Sequence, residues 1–381
     1  MDKQRAFFVP LTFGIAFFLG VENGGFQLIL LQMANDFSLD MVQMGGIVTT
    51  KFIAIVLGPL LFGWVSDKTG KKPILTYGML SFIVGCLGVF FSPTILILAI
   101  SVFIMGLGYS VSESIGSSIL SDSFPGKESV YLNIMQTGFS LGAVLSPLMF
   151  NALIQAGFVS WRMVFLSAGA GYIMLYPLLA LSPKTKPARK SPKASRSSRN
   201  IFPFFVILFF SMVIYVAIEA GVGYFADSLF VTEFENTSFG AYAISGFWFS
   251  MTISRFAFSR IKIKPESMII LGFLLIFVLF LFSLPLRNQY ILLGVFFLLG
   301  FASGPIWPMI IGTGASLDQK RSGTNTSILY ASGGLGGVII PLLIGFTADR
   351  HGLYNSFWLL AVFSGIGLLI MWLGVKKLKQ V

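Results

Sequence analysis

The chain has 381 residues, of which 55% are hydrophobic and only 11% charged; a soluble domain carries about 25% charged residues, so this one lacks the charge to cover a water-facing surface. One cysteine, Cys86, and one histidine, His351, exclude a disulfide framework and a multi-histidine metal site. The formal net charge of +11 would suit nucleic acid only if the basic residues were not accounted for by topology, and they are.

Apolar stretches long enough to cross a bilayer, about 20 residues, recur from end to end. In chain order they predict helices over 6–33, 44–66, 73–91, 94–121, 130–157, 161–181, 201–230, 236–260, 266–285, 289–316, 323–348 and 353–376. The first follows Lys3 and Arg5 but is too long for a signal-peptide core of roughly 7–15 residues and has no small-residue cleavage site, so it reads as a retained span. The predicted class is an all-α membrane protein of twelve transmembrane helices.

With the N-terminus placed in the cytoplasm, 21 of the 26 Lys and Arg residues fall in the tails and even-to-odd connections. Only Arg162, Arg287 and Arg350 fall on the opposite side, and Lys51 and Arg255 lie inside helices. This is the positive-inside asymmetry, and twelve spans return the C-terminus to the cytoplasm. The basic excess is a topology signal, and no nucleic-acid partner is expected. "SPKTKPARKSPKASRSSRN" (Ser182–Asn200) has no apolar period and reads as a cytoplasmic strap. It divides the chain into an N-terminal six-helix bundle (1–181), a linker (182–200) and a C-terminal six-helix bundle (201–381).

The two halves look related. At an offset of 197, "VENGG" (Val21–Gly25) falls on "IEAGV" (Ile218–Val222), matching Glu22 with Glu219. At an offset of 194, "LGAVLSP" (Leu141–Pro147) falls on "LGGVIIP" (Leu335–Pro341). These matches, in the first and fifth helix of each half, suggest an internal duplication of the kind transporters use, with the binding cleft between the halves.

After the second helix comes "GWVSDKTGKKP" (Gly63–Pro73). This resembles the signature loop of the major facilitator superfamily: glycine, three residues, aspartate, two residues, glycine, then basic residues. The resemblance implies a gating motif of Gly63, Asp67, Gly70 and Lys71. Gly63 would let the helix end approach its neighbour, Gly70 would permit the turn, and Lys68, Lys71 and Lys72 would hold the loop at the cytoplasmic surface. "GFTADRHG" (Gly345–Gly352) repeats the spacing but falls on the other side, and reads as a helix end with a turn. "YVAIEAGVGYF" (Tyr215–Phe225), "LNIMQTGFSLGAVLSP" (Leu132–Pro147) and "GLGYSVSESIGSS" (Gly106–Ser118) resemble the fucose/glucose:proton symporter branch. Ser117 departs from that branch, where an asparagine often stands, and "GAVLSP" does not meet the antiporter signature of the superfamily.

Three carboxylates stand inside predicted helices: Glu22, Glu113 and Glu219. A charge at the bilayer centre costs about 2.5–3.5 kcal/mol on insertion scales, so such a group faces a cavity, pairs with a base or stays protonated. The resemblance places all three on cavity-lining helices. Tyr109 and Ser117 flank Glu113 at i−4 and i+4, forming one polar stripe. Arg255 is a candidate partner for a carboxylate or a side chain reaching the cytoplasmic face, and Lys51 is expected to snorkel toward the outer face. In "SGPIWPM" (Ser303–Met309), Pro305 and Pro308 break the helix, and Trp307 offers a flat face for a ring.

The candidate proton or substrate groups are therefore Glu22, Glu113, Glu219 and Arg255, with Asn23, Gln27, Tyr109, Gln136, Trp307, Asn325 and Tyr330 as substrate contacts. The expected function is alternating-access transport of a small polar solute, first a sugar or related polyhydroxyl compound, by proton symport. Sodium is left open as the coupling ion. The alternatives are proton-driven export of cationic or amphiphilic compounds and a non-transporting receptor. No metal, cofactor or enzyme motif is present in the sequence. The expected setting is a lipid bilayer, as a monomeric multi-pass protein of a cell membrane such as the bacterial inner membrane.

Overall fold

Each predicted apolar stretch forms a helix, because a backbone in lipid has no water to bond and must satisfy its own polar groups. The computed structural model describes residues 2–124, 128–183, 202–259, 263–317 and 322–378. Six long helices come from the first half: α1 (Asp2–Asp36), α2 (Met41–Thr69), α3 (Lys71–Phe90), α4 (Ile95–Ser123), α5 (Glu128–Gln155) and α6 (Met163–Leu181). The second half gives α7 (Phe202–Phe234), α8 (Phe239–Ser259) and α9 (Pro265–Ser283). It continues with α10 (Gln289–Ser303), α11 (Ile306–Leu317), α12 (Ser322–His351), the single turn α13 (Leu353–Ser356) and α14 (Trp358–Leu378). Among the described residues there is no strand.

Among the described residues, eleven stretches are long and apolar enough to cross a membrane. The predicted eighth span, α8, falls short because serines, a threonine and Arg255 dilute its apolar residues. The predicted tenth span is interrupted at Gly304 and Pro305 and becomes α10 and α11. The predicted strap is described only as far as Pro183; residues 184–200 lie outside the described residues.

Local chemistry sets several helix starts. Asp40 Oδ1 accepts from the Gln43 amide at 2.7 Å while Gln43 Oε1 accepts from the Asp40 amide at 3.1 Å, a reciprocal capping box at the start of α2. Asn288 caps α10 by accepting from the amides of Tyr290 and Ile291, and Asn236 accepts from Ser238 and Phe239 ahead of α8. These side chains satisfy amide groups that a helix start leaves orphaned.

The chain forms two compact units: Met1–Ser38 with Thr50–Arg189, and Leu39–Thr49 with Lys190–Val381. The sequence repeat has a packing counterpart inside each unit. A side chain at Gly142 on α5 would run into the Phe17 carbonyl and the Val21 amide of α1. A side chain at Gly336 on α12 would run into the Val213 carbonyl and the Ala217 amide of α7. Small residues let backbones approach this closely in lipid, and the same crossing is built twice.

The first nine residues of α2 belong to the second unit. Gly45 lies against the Pro341 carbonyl, Gly345 lies against Met41, and Thr49 Oγ1 donates to the Val338 carbonyl at 3.0 Å. Asp349 completes this contact: its carboxylate accepts from the Met41 amide at 3.1 Å and the Val42 amide at 3.4 Å. "GFTADRHG" is thus more than the plain helix end expected of it, since its aspartate caps the start of another helix.

Candidate functional site

In the first unit the polar groups converge on Lys51. Its Nζ donates to both oxygens of Glu22, at 2.8 and 2.7 Å, and lies 3.5 Å from Asn23 Oδ1. The ammonium also stands 5.2 Å from the centre of the Phe26 ring and 5.0 Å from that of Tyr109, within range of a cation–π attraction. Both Lys51 and Glu22 have zero side-chain exposure. Helical spacing explains the arrangement: Phe26 follows Glu22 by four residues on α1 and so lies on the same face.

The expectation that Lys51 snorkels outward is corrected by this geometry. A buried carboxylate and a buried ammonium each demand a partner, and the pairing satisfies both. Glu22, Asn23 and Tyr109 are brought together as predicted candidates, with Lys51 as the member that sequence reading assigned elsewhere. Gln27 is buried one turn further along α1.

Glu113 is half-buried on α4, one turn beyond Tyr109, and acts electrostatically on Tyr172 of α6. Ser117, the next member of that stripe, donates to Met135 Sδ of α5 at 3.6 Å. The stripe therefore faces neighbouring helices. Gln136 is half-buried on α5.

The second unit holds a different arrangement. Glu219 of α7 interacts electrostatically with Arg255 of α8, and Tyr215 stands one turn from Glu219. Arg255 Nε donates to the Gly304 carbonyl at 3.2 Å. The cause is readable in the sequence. In a regular helix that carbonyl would accept from residue 308, but Pro308 has no amide hydrogen. Arg255 supplies the missing donor, and Gly304 allows the approach because α10 comes against Met251 and Ser254 of α8 there.

Trp307 is half-buried immediately after this break. Its ring meets Tyr330 of α12 edge-on, with centroids 5.1 Å apart, and Tyr215 of α7 at 6.2 Å. Tyr330 keeps 36% of its surface exposed. Thus Glu219, Arg255, Trp307 and Tyr330 form one neighbourhood of an acid, a base and two rings with polar hydrogens. Asn325 has a structural bond as well, its Nδ2 donating to the Gly314 carbonyl at 3.1 Å between α12 and α11.

The loop after α2 departs from expectation in two ways. Lys71 is buried, and its Nζ donates to the Ser118 carbonyl at 3.0 Å and to Asp122 at the end of α4. Lys72 donates to the carbonyls of Ala180 and Ser182 at the end of α6, at 2.9 and 2.6 Å. These residues therefore tie the start of α3 to the carbonyl ends of two helices, where cations are favoured, and do not simply mark a surface. Gly70 has φ of 91°, a conformation that suits glycine. At Gly63, by contrast, a Cβ would meet nothing among the described residues, so close helix approach does not explain it. The side chain of Asp67 lies outside the described residues.

Sequence reading also missed a further carboxyl group inside a span. Asp227 of α7 is buried, at 4% exposure, within the apolar stretch Phe202–Phe234. Its signal was the single acid in "GYFADSLF", placed within the predicted seventh helix.

Comparison with known proteins fits this architecture. The family model described as Major Facilitator Superfamily matches residues 12–322 and 208–380. A protein TsgA homologue of Buchnera aphidicola is 24% identical over 86% of this chain and 86% of its own. The glucose/mannose transporter GlcP of Bacillus subtilis is 23% identical, covering 96% of this chain and 93% of its own. Among solved structures, a bacterial homologue of the human lysosomal transporter Spinster aligns over 99% of this chain and 98% of its own, with TM-score 0.78 and 15% identity. A peptide transporter, POT, aligns with TM-score 0.79 and 16% identity, over 98% and 94%.

Proposed function

The chain belongs to the major facilitator superfamily, a family of multi-pass membrane transporters, and from that premise we propose that it moves a small polar solute across the cell membrane by alternating access. A sugar or related polyhydroxyl compound is the first solute class, and proton symport the coupling. The observation that carries the solute assignment is the neighbourhood of Trp307 and Tyr330 beside Glu219 and Arg255. A ring with hydroxyl groups can lie against an indole face while its hydroxyls bond to carboxylate, guanidinium and phenol. The similarity to a glucose/mannose transporter over nearly the whole chain supports the same class.

For coupling, Glu113 and the Glu22–Lys51 pair are the leading groups. Glu22 is already bonded to an ammonium, so binding a proton there means breaking an ion pair. Glu113 is half-buried, and protonation there neutralises a carboxylate in the span. In proteoliposomes, Glu113→Gln should abolish proton-driven accumulation of the solute while counterflow exchange persists. Unchanged accumulation would remove Glu113 from the coupling scheme.

One observation favours the rival reading of export of cationic compounds. Glu22, Phe26 and Tyr109 surround an ammonium, and the same groups suit an organic amine. Competition of organic cations against sugars in a thermal-shift screen separates the two readings.

A further inference from the structure

We propose that Asp227 is a proton-binding site, formed by a buried carboxyl group of α7 set against the first turn of α8. Two observations carry it. First, the side chain is more than nine-tenths buried, and no donor among the described residues is bonded to it. Second, the carboxyl group lies against the start of α8: a Cβ placed on Gly240 would collide with Asp227 Oδ1, and also with its Cα and Cγ. The bare glycine leaves room there for both the α7 backbone and the acid.

These features act in opposite directions on the carboxyl group. Burial in a span favours the neutral acid, because a lone charge in lipid is costly. The positive end of a helix favours the anion. Unlike Glu22, Asp227 has no base among the described residues to settle the balance. Among the described residues, no charged group of the helices packed on α7 acts on it. On α8, Arg255 donates to the Gly304 carbonyl and lies within electrostatic range of Glu219. Tyr290 of α10 lies edge-on to Phe239, Asp349 of α12 caps α2, and Tyr354 of α13 donates to the Leu284 carbonyl. Within α7, Glu233 accepts from the Tyr354 amide.

The ligand is one proton from water, which converts the carboxylate to the neutral acid and removes one negative charge from the start of α8. The site itself rests on the geometry; its use in transport rests on the proton-coupled reading above. A sodium ion would need several oxygen ligands and is the competing occupant.

The test is pH-difference infrared spectroscopy of the purified full-length protein in lipid nanodiscs. A carboxyl carbonyl band that grows with acidification is expected in the wild type, and Asp227→Asn should lose it while Glu22→Gln keeps it. Asp227→Glu should retain a titrating band, so that simple misfolding of the asparagine variant cannot mimic the result. A wild-type band unaffected by Asp227→Asn overturns the site, and so does a signal that responds to sodium at fixed pH. If the band belongs to Asp227 while solute uptake is insensitive to a proton gradient, the site stands and proton symport fails.

Discussion

The two units place an acid at matching positions of the repeat but differ in how a base meets it: Lys51 is ion-paired to Glu22, while Arg255 lies only within electrostatic range of Glu219. Glu22 and Glu219 are matched by the offset that aligns the halves, yet their bases come from different turns of the following helix. The position matching Lys51 is Trp248, and the position matching Arg255 is Gly58, seven residues further on, about two helical turns. In the first unit the result is a sealed pair: both side chains have zero exposure, and two aromatic rings flank the ammonium. In the second, Glu219 and Arg255 are half-buried, and part of the guanidinium is committed to a carbonyl freed by Pro308. The repeat thus keeps the placement of the acid and the helix crossing, while the group that meets the acid differs. A sealed pair resists exchange with solute; a half-open neighbourhood retains bonding capacity, and that difference is why the solute contacts are proposed in the second unit.

Removing the two bases one at a time tests this contrast most strongly. Removing one member of a buried pair leaves an uncompensated charge, which costs roughly 3–5 kcal/mol. Lys51→Met should therefore lower the thermal unfolding midpoint markedly, and adding Glu22→Gln should recover much of the loss. Arg255→Met should cost less stability, because Arg255 forms no ion pair with Glu219 and is bonded to the Gly304 carbonyl, and should show its effect mainly as lost solute binding. Equal destabilisation by the two single variants would end the sealed-versus-open distinction.

A second comparison concerns the crossing that is the same in both units. Gly142→Ala and Gly336→Ala each push a methyl group into a facing carbonyl, and overpacking of this kind costs about 1–3 kcal/mol. The two should destabilise the detergent-solubilised protein by similar amounts. A large inequality would mean that only one crossing is tight, and that the repeat is preserved in sequence more than in packing.

The elements open to sequence reading were those set by spacing along one helix. The spans, the break at Pro305 and Pro308, the placement of Glu22 beside Asn23, and the turn at Gly70 all depend on residues within a few positions of each other. Lys51 was misassigned because its partner is 29 residues away on another helix; its position along α2 gave no hint of which neighbour it would meet. Lys71 and Lys72 were read as surface markers for the same reason, since their acceptors lie at the ends of α4 and α6. Arg255 stands between these cases. The orphaned carbonyl was implied by Pro308, but the identity of its donor depends on how α8 packs on α10. Asp227 carries the same sequence signal as Glu22, a single carboxylate in an apolar run.

The smallest expected effect lies where α2 begins. The contact between Asp349 and α2 spans 308 positions in sequence, and together with Asp40 it satisfies the amides of Met41, Val42 and Gln43. Loss of a capping side chain typically costs about 0.5–2 kcal/mol. Because Asp349 is exposed and its second bond is long, Asp349→Ala should fall near the lower end of that range. Asp349→Asn keeps an acceptor oxygen and should lose less. Asp40→Ala removes the local cap, so it should weaken the start of α2 by a similar amount without disturbing α12. Hydrogen exchange at Met41, Val42 and Gln43 separates the two contributions: Asp349→Ala should expose the first two amides, and Asp40→Ala the third. If Asp349→Ala leaves all three as protected as in the wild type, the distant aspartate is not what caps α2, and its likeness to the loop after α2 is a matter of spacing alone.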